Sequence, residues 1–159
     1  MLSFILFIML VLANGAPVIA HKLIPGFWPG PVDGGRLWGD GRPLFGASKT
    51  WRGIASGVAS CALFSVLVGV GFWFGLVFGL LALGGDLLSS FIKRRRGIPP
   101  SGRAIGLDQI PEALLPMLLA VIWLKLSFGL ALLVVVVFVA ANIGFSPLLY
   151  RLGIRRHPH

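Results

Sequence analysis

Residues 53–92 read GIASGVASCALFSVLVGVGFWFGLVFGLLALGGDLLSSFI, forty positions with a single charged side chain, Asp86. At about 1.5 Å of rise per residue, a helix of that length far exceeds a hydrocarbon core about 30 Å thick. The run is therefore predicted to fold back near Gly69 to Phe72 into a helical hairpin of two spans, 53–70 and 73–92. Gly53, Ser56, Gly57 and Ser60 recur at helical spacing in its first arm. Small residues in that pattern let helix backbones approach closely inside a bundle.

Working outward, the N-terminal run 2–20 is apolar apart from Asn14, Gly15 and Pro17, which a membrane helix tolerates when neighbours satisfy the freed backbone groups. It lacks the basic n-region of a secretory signal and is expected to remain as a span. Residues 21–52 follow, so rich in glycine, proline and turn signals that no regular helix is expected. Its tryptophans suit a membrane interface. After a second polar loop, 93–106, two further spans are predicted at 107–124 and 128–149, with Lys125 and Ser127 in the tight turn between them. The expected fold is all-α, an integral membrane bundle of about five transmembrane helices.

Of the 14 lysines and arginines, five fall in the first polar loop, five in the second and three at the C-terminus, leaving Lys125 alone on the other side. The positive-inside rule then orients the N-terminus outward and the C-terminus inward, with loops 21–52 and 93–106 cytoplasmic. A net charge of +9 would suit nucleic acid in a soluble protein, but these charges flank apolar runs in a chain that is 57% hydrophobic and 12% charged. No nucleic-acid partner is expected. One cysteine, Cys61, within an apolar run, excludes an intramolecular disulfide and a cysteine metal cage, and packing is its expected role.

The five acidic residues are Asp33, Asp40, Asp86, Asp108 and Glu112, none of them on the predicted outer side. Asp86 lies inside the third span, where an ionisable group costs on the order of 3 kcal/mol and marks a functional site by default. With Ser89, Ser90 and Lys93 it forms the i, i+3, i+4, i+7 set of one helix face. The alternative is an ion pair that locks the bundle. Asp108 and Glu112 stand four apart at the entrance of the fourth span, where they could simply complement the helix dipole. Carboxylates that converge from two helices at one depth would also suit a magnesium ion bound to substrate phosphates, with Asp86, Asp108 and Glu112 as candidate ligands.

In the first loop, GRPLFGASKT only loosely resembles a P-loop, because Lys49 follows the second glycine by three positions and no buried strand precedes it. Its glycine-rich backbone with Arg42, Ser48, Lys49, Thr50 and Arg52 suits either bound phosphate or anchorage to anionic headgroups. The Arg94 to Arg96 run is expected to act as a topology signal. His21, His157 and His159 are isolated and receive no role.

The stretch GDLLSSFIKRRRGIPPSGRAIGLDQIPE, residues 85–112, resembles the signature region of the CDP-archaeol synthases, relatives of the phosphatidate cytidylyltransferases. PVDGG and DGRPLFGASKTWRG resemble that family's first inward loop. The resemblance implies a Mg2+-dependent enzyme that moves a cytidylyl group from CTP to a membrane lipid phosphate, archaetidic acid-like or phosphatidate-like, releasing pyrophosphate. It also implies metal-linked roles for Asp86 and Asp108, and places Ser90 and Lys93 in an S-x-x-K-R element. Lys49, Arg52, Lys93 and Arg103 would then neutralise the triphosphate, with Asp40, Thr50 and Ser89 completing the substrate-binding set. Where the broader cytidylyltransferases carry lysine-aspartate and histidine-glycine-glycine, this chain has Pro99-Pro100 and Ala104-Ile105-Gly106, which favours the archaeol-type branch.

Two rival functions share parts of this pattern. A CDP-alcohol phosphotransferase requires a D-x-x-D-G-x-x-A-R motif, of which only Asp40-Gly41-Arg42 matches a fragment. A small multipass transporter or channel subunit would use Asp86 to line a pathway, yet the outer half offers only Asn14, Asn142 and a few serines.

Overall fold

The computed structural model describes residues 1–100, 102, 104 and 106–151, with side chains to 144 in the last helix. Five helices account for most of it: α1 (Leu2–Leu23), α2 (Trp51–Leu67), α3 (Phe72–Arg95), α4 (Gln109–Trp123) and α5 (Phe128–Arg151). Among the described residues extended structure is limited to two isolated bridges, Pro31 with Thr50 and Leu37 with Pro43. α3 continues three residues beyond the predicted span, because Lys93, Arg94 and Arg95 occupy its last turn, where cations complement the helix dipole. α1 and α3 are long and apolar enough to cross a membrane. α2 and α4, with 17 and 15 residues, are shorter than a full crossing.

In chain order the helices close a ring, α1 against α2, α2 against α3, α3 against α4, α4 against α5 and α5 against α1, while α1 also meets α3 and α4. The core is built from Leu6, Met9, Leu10 and Ala13 of α1, Cys61 of α2, Phe74, Phe78 and Ala82 of α3, Ala113, Met117 and Ala120 of α4, and Ala131, Val134, Val135 and Phe138 of α5. Large apolar side chains also cover the outside, among them Leu63, Leu67, Trp73, Leu80, Ile122, Leu133 and Val136. Exposed apolar surface on this scale belongs against lipid.

Lipid tails are as apolar as leucine, so close packing must hold the helices together. At Gly75 a Cβ would lie 2.6 Å from the Cys61 carbonyl, and at Gly79 it would lie 2.9 Å from the Val58 Cα. α1 runs through Pro17 without a break. Proline has no N–H to donate, so the Ala13 carbonyl four residues earlier loses its helical partner. That carbonyl faces Gly57 of α2, where a Cβ would sit only 2.7 Å from it. At the other junctions, Thr50 caps α2 by accepting the Gly53 amide at 3.2 Å, and the Ser65 hydroxyl donates to the Gly71 carbonyl across the α2–α3 turn.

Candidate active site

The loop between α1 and α2 is organised from inside by Asp33. Its carboxylate accepts the amides of Gly35 at 3.0 Å and of Phe45 and Gly46 at 2.9 Å. Burial pushes the Asp33 carboxyl up, but these backbone donors outweigh it and hold the group below the usual carboxylate range. Asp33 therefore stays ionised and ties residues 33–35 to 45–46. The Val32 amide donates to the Lys49 carbonyl at 2.8 Å beside the Pro31–Thr50 bridge, which fixes the loop's far end at the start of α2.

Lys49 reaches from that end to α3, where its ammonium donates to both Asp86 oxygens at 2.7 and 2.6 Å. Two turns further along α3, Lys93 pairs with Asp108 at 2.5 Å and donates to the Gly102 carbonyl at 3.1 Å. The other Asp108 oxygen accepts the Ala104 amide at 2.9 Å. Asp108 stands at the head of α4 but makes no side-chain cap, so its carboxylate serves the lysine and the preceding loop. The result is two lysine–aspartate pairs along one face of α3, joining it to the first loop on one side and to α4 on the other.

Gly85 sets the distance between α3 and α4. A Cβ there would lie 2.6 Å from the Glu112 nitrogen and closer still to the Pro111 carbonyl. This contact puts Asp86 level with Pro111 and Glu112, and Asp108 a turn away toward Lys93, which corrects the expectation that Asp86 and Asp108 share one depth. Glu112 is buried. Among the described residues no three acidic, histidine or cysteine side chains gather closely enough to hold one metal ion, so Asp86, Asp108 and Glu112 do not form a preassembled three-ligand set.

Several expected substrate-binding residues are committed elsewhere. Arg52 is 2% exposed. Its guanidinium donates to the carbonyls of Ile24, Pro25 and Phe27 and meets His21 Nδ1, so it closes the C-terminal end of α1 rather than facing Asp86. Asp40 accepts from Arg95 and from the Arg42 amide. Arg42 in turn donates to the Arg94 and Arg95 carbonyls, and Arg95 to the carbonyls of Arg42 and Pro43, a reciprocal clasp between the loop and the end of α3. Thr50 is spent on capping. Ser89 is buried and its hydroxyl donates back to the Gly85 carbonyl at 2.9 Å, and Ser90 is buried beside it. Arg103 lies outside the described residues.

This arrangement meets a consistent set of relatives. Residues 60–159 match the CarS-like family of CDP-archaeol synthases. The CDP-archaeol synthase of Thermococcus kodakarensis is 36% identical over an alignment covering 92% of this chain and 88% of that protein. The chain belongs to the CDP-archaeol synthase family. The Pyrococcus furiosus member is 40% identical over 61% of this chain and 60% of its own length. A solved intramembrane enzyme for archaeal membrane lipid biosynthesis superposes with a TM-score of 0.71 at 30% identity, covering 89% of this chain and 90% of that one. As a CDP-archaeol synthase family member, the chain is a membrane protein, and its apolar exterior is its lipid-facing surface.

Within this family member, sequence reasoning passed over Asp33 and Arg94. The spacing of PVDGG and PLFG hints at a folded loop, but not that one carboxylate gathers its amides. Arg94 looked like one of a basic run, yet it is 3% exposed while Arg96 points to solvent. The clue available was helical phase: Arg94 falls four residues after Ser90 and eight after Asp86, on the inward side of α3.

Proposed function

We propose that this protein transfers a cytidylyl group from CTP to a membrane lipid phosphate, giving a CDP-activated lipid and pyrophosphate. The observation that carries the reading is the pair of lysine–aspartate contacts on α3, Lys49 with Asp86 and Lys93 with Asp108, inside a CDP-archaeol synthase family chain. In the reaction, an oxygen of the lipid phosphate attacks the α-phosphorus of the nucleotide. The new oxygen–phosphorus bond forms as the bond to the β-phosphate oxygen breaks, and the electron pair leaves with pyrophosphate. Such a displacement needs positioning and charge neutralisation rather than a protein nucleophile. Lys49 and Lys93 supply ammonium groups for the phosphates, and their aspartates keep them in place before substrate arrives.

Mg2+ commonly uses one or two carboxylates together with substrate phosphates, and Asp86 and Asp108 match that donor chemistry without a three-acid cage. When bound there, the ion would neutralise phosphate charge and stabilise the leaving pyrophosphate. The transport alternative is not favoured, since the matched relatives carry an enzyme's name. Purified protein incubated with labelled CTP, Mg2+ and a panel of ether and ester lipid phosphates should yield labelled product that extracts into organic solvent. Excess unlabelled CTP should suppress the label far more than ATP or GTP. Absence of an extractable product with every lipid phosphate would overturn the reading, and equal competition by all three nucleotides would remove its cytidine specificity.

The site is proposed to face the cytoplasm, which the distribution of basic residues supports. Reporter fusions after Tyr150 and near Lys125 should lie on opposite sides of the membrane, the first of them cytoplasmic. Both on one side would be incompatible with this orientation.

A further inference from the structure

Trp28 sits at φ +41°, a left-handed backbone that a bulky side chain adopts only under strain, and it precedes Pro29, whose ring pushes the residue before it toward extended backbone. Such strain persists only where the surroundings over-determine it. Here Arg52 does so: its guanidinium binds the carbonyls of Ile24, Pro25 and Phe27, and its amide donates to the Trp28 carbonyl at 3.3 Å. The Trp51 amide donates to the Gly30 carbonyl at 3.2 Å. What this scaffold holds up is apolar. Phe27 stacks on Trp28 with ring centroids 5.2 Å apart, and Trp28 and Trp51 are still 60% and 53% exposed. Together with Pro29 and Gly30, the two tryptophans line a cavity of about 370 Å³.

We propose that this cavity seats one hydrocarbon chain of a bilayer lipid that is not the substrate. Its walls carry no charged side chain, so it suits an apolar occupant. It also continues the lipid-facing surface, because Ile19, Leu23 and Ile24, exposed apolar residues at the end of α1 and just beyond, lead up to it. Tryptophans are at home at that level of a membrane. Direction separates the cavity from the lysine–aspartate pairs. Gly53 and Gly57 mark the inner face of α2, where a Cβ would meet Pro17 at 3.5 Å and Leu83 at 2.8 Å respectively. At 3.6 residues per turn, Trp51 stands about 200° around the helix from Gly53, on the outward side. Lys49 instead reaches inward to Asp86. A chain seated here fastens the connection between α1 and α2 from outside and covers aromatic surface that the protein itself leaves open.

Phosphatidylcholine brominated in the upper part of one chain is the probe, because bromine quenches a nearby indole and a phosphate diester cannot replace the substrate's phosphate monoester. The full chain carrying Trp38→Phe, Trp73→Phe and Trp123→Phe keeps Trp28 and Trp51 as its fluorescent indoles. Titrated in detergent, it should show quenching that saturates as the seat fills. Gly30→Leu should weaken this binding about tenfold or more, the effect of losing contact with about two buried methylene groups. A Cβ at Gly30 meets nothing within 4 Å, so leucine takes the chain's space without a clash. Should Gly30→Leu fail to fold, Trp28→Gly carries the test with Trp51 as reporter. Glycine accepts a positive φ at no steric cost, so the backbone stays while one wall is lost, and a similar weakening is expected. Quenching that rises without saturation, or that a folded variant leaves unchanged, would overturn the seat. Excess unlabelled phosphatidylcholine should restore the fluorescence at least as well as dioctanoylglycerol phosphate does. Restoration by the phosphate monoester at a far lower concentration would overturn the assignment to a lipid other than the substrate. The seat does not depend on the reaction proposed above, and failure of wild type to make CDP-lipid would leave these binding results standing.

Discussion

Asp86→Asn and Asp108→Asn are each expected to reduce CDP-lipid formation by about a hundred- to a thousandfold, the scale on which removal of one preorganised electrostatic group is felt. Both variants should still insert and remain monodisperse in detergent. The expectation for stability follows from the contacts. Lys49 and Asp86 retain 23% and 25% of their side-chain exposure, so Lys49 can turn to water when its partner is neutralised. The loss should be on the order of 1 kcal/mol or less. Lys93 is more enclosed, but asparagine at 108 keeps an oxygen for it or for the Ala104 amide. Activity and folding should thus separate. Near-normal turnover in both folded variants would remove the two aspartates from the chemistry. Aggregation of Asp86→Asn beside an active Asp108→Asn would make the Lys49 pair a structural lock.

The second large effect is expected at a residue with no side chain. In Gly85→Ala the new methyl would press on the Pro111 carbonyl and the Glu112 nitrogen, backbone atoms at the start of α4 that cannot rotate away. Overpacking of this kind costs about 1–3 kcal/mol. The strain would also push apart the helices that carry Asp86 and Asp108, so turnover should fall with the melting temperature. Gly84→Ala is the matched control, since a Cβ at Gly84 meets nothing within 4 Å. It should behave as wild type in both measurements. If Gly85→Ala melted and turned over like Gly84→Ala, the close approach of α3 to α4 would not be what sets the site.

The helices and the chemistry differ in how far they can be read from the chain. Five apolar runs are visible because burial in lipid is a property of each segment's own length and composition, and each run became a helix within a few residues of its expected ends. Asp86 stands out for the same reason, as a lone charge in forty apolar positions. Its face with Ser89, Ser90 and Lys93 follows from helical spacing alone. The small residues of the hairpin likewise announce close packing, although which backbone each one meets does not follow from their spacing.

The partners of the charges were decided by the tertiary structure. In sequence Arg52 and Arg94 are equivalent, each a cation at the border of an apolar run. Folding sends Arg52 to the open carbonyls at the end of α1, because α2 begins beside them, and turns Arg94 inward near Asp108. Asp33 and Asp40 are both loop aspartates next to glycine, yet one gathers the amides of Gly35, Phe45 and Gly46 while the other clasps Arg95. The relative depth of Asp86 and Asp108 depends on where Gly85 meets α4, and the pairing of Lys49 with Asp86 depends on a loop that Asp33 folds. A charge's type and its border position are local, so the chain displays them. Its partner lies on another segment, 37 residues away for Lys49 and Asp86 and 55 for Arg95 and Asp40, and is chosen by which groups folding brings near, which no local pattern records.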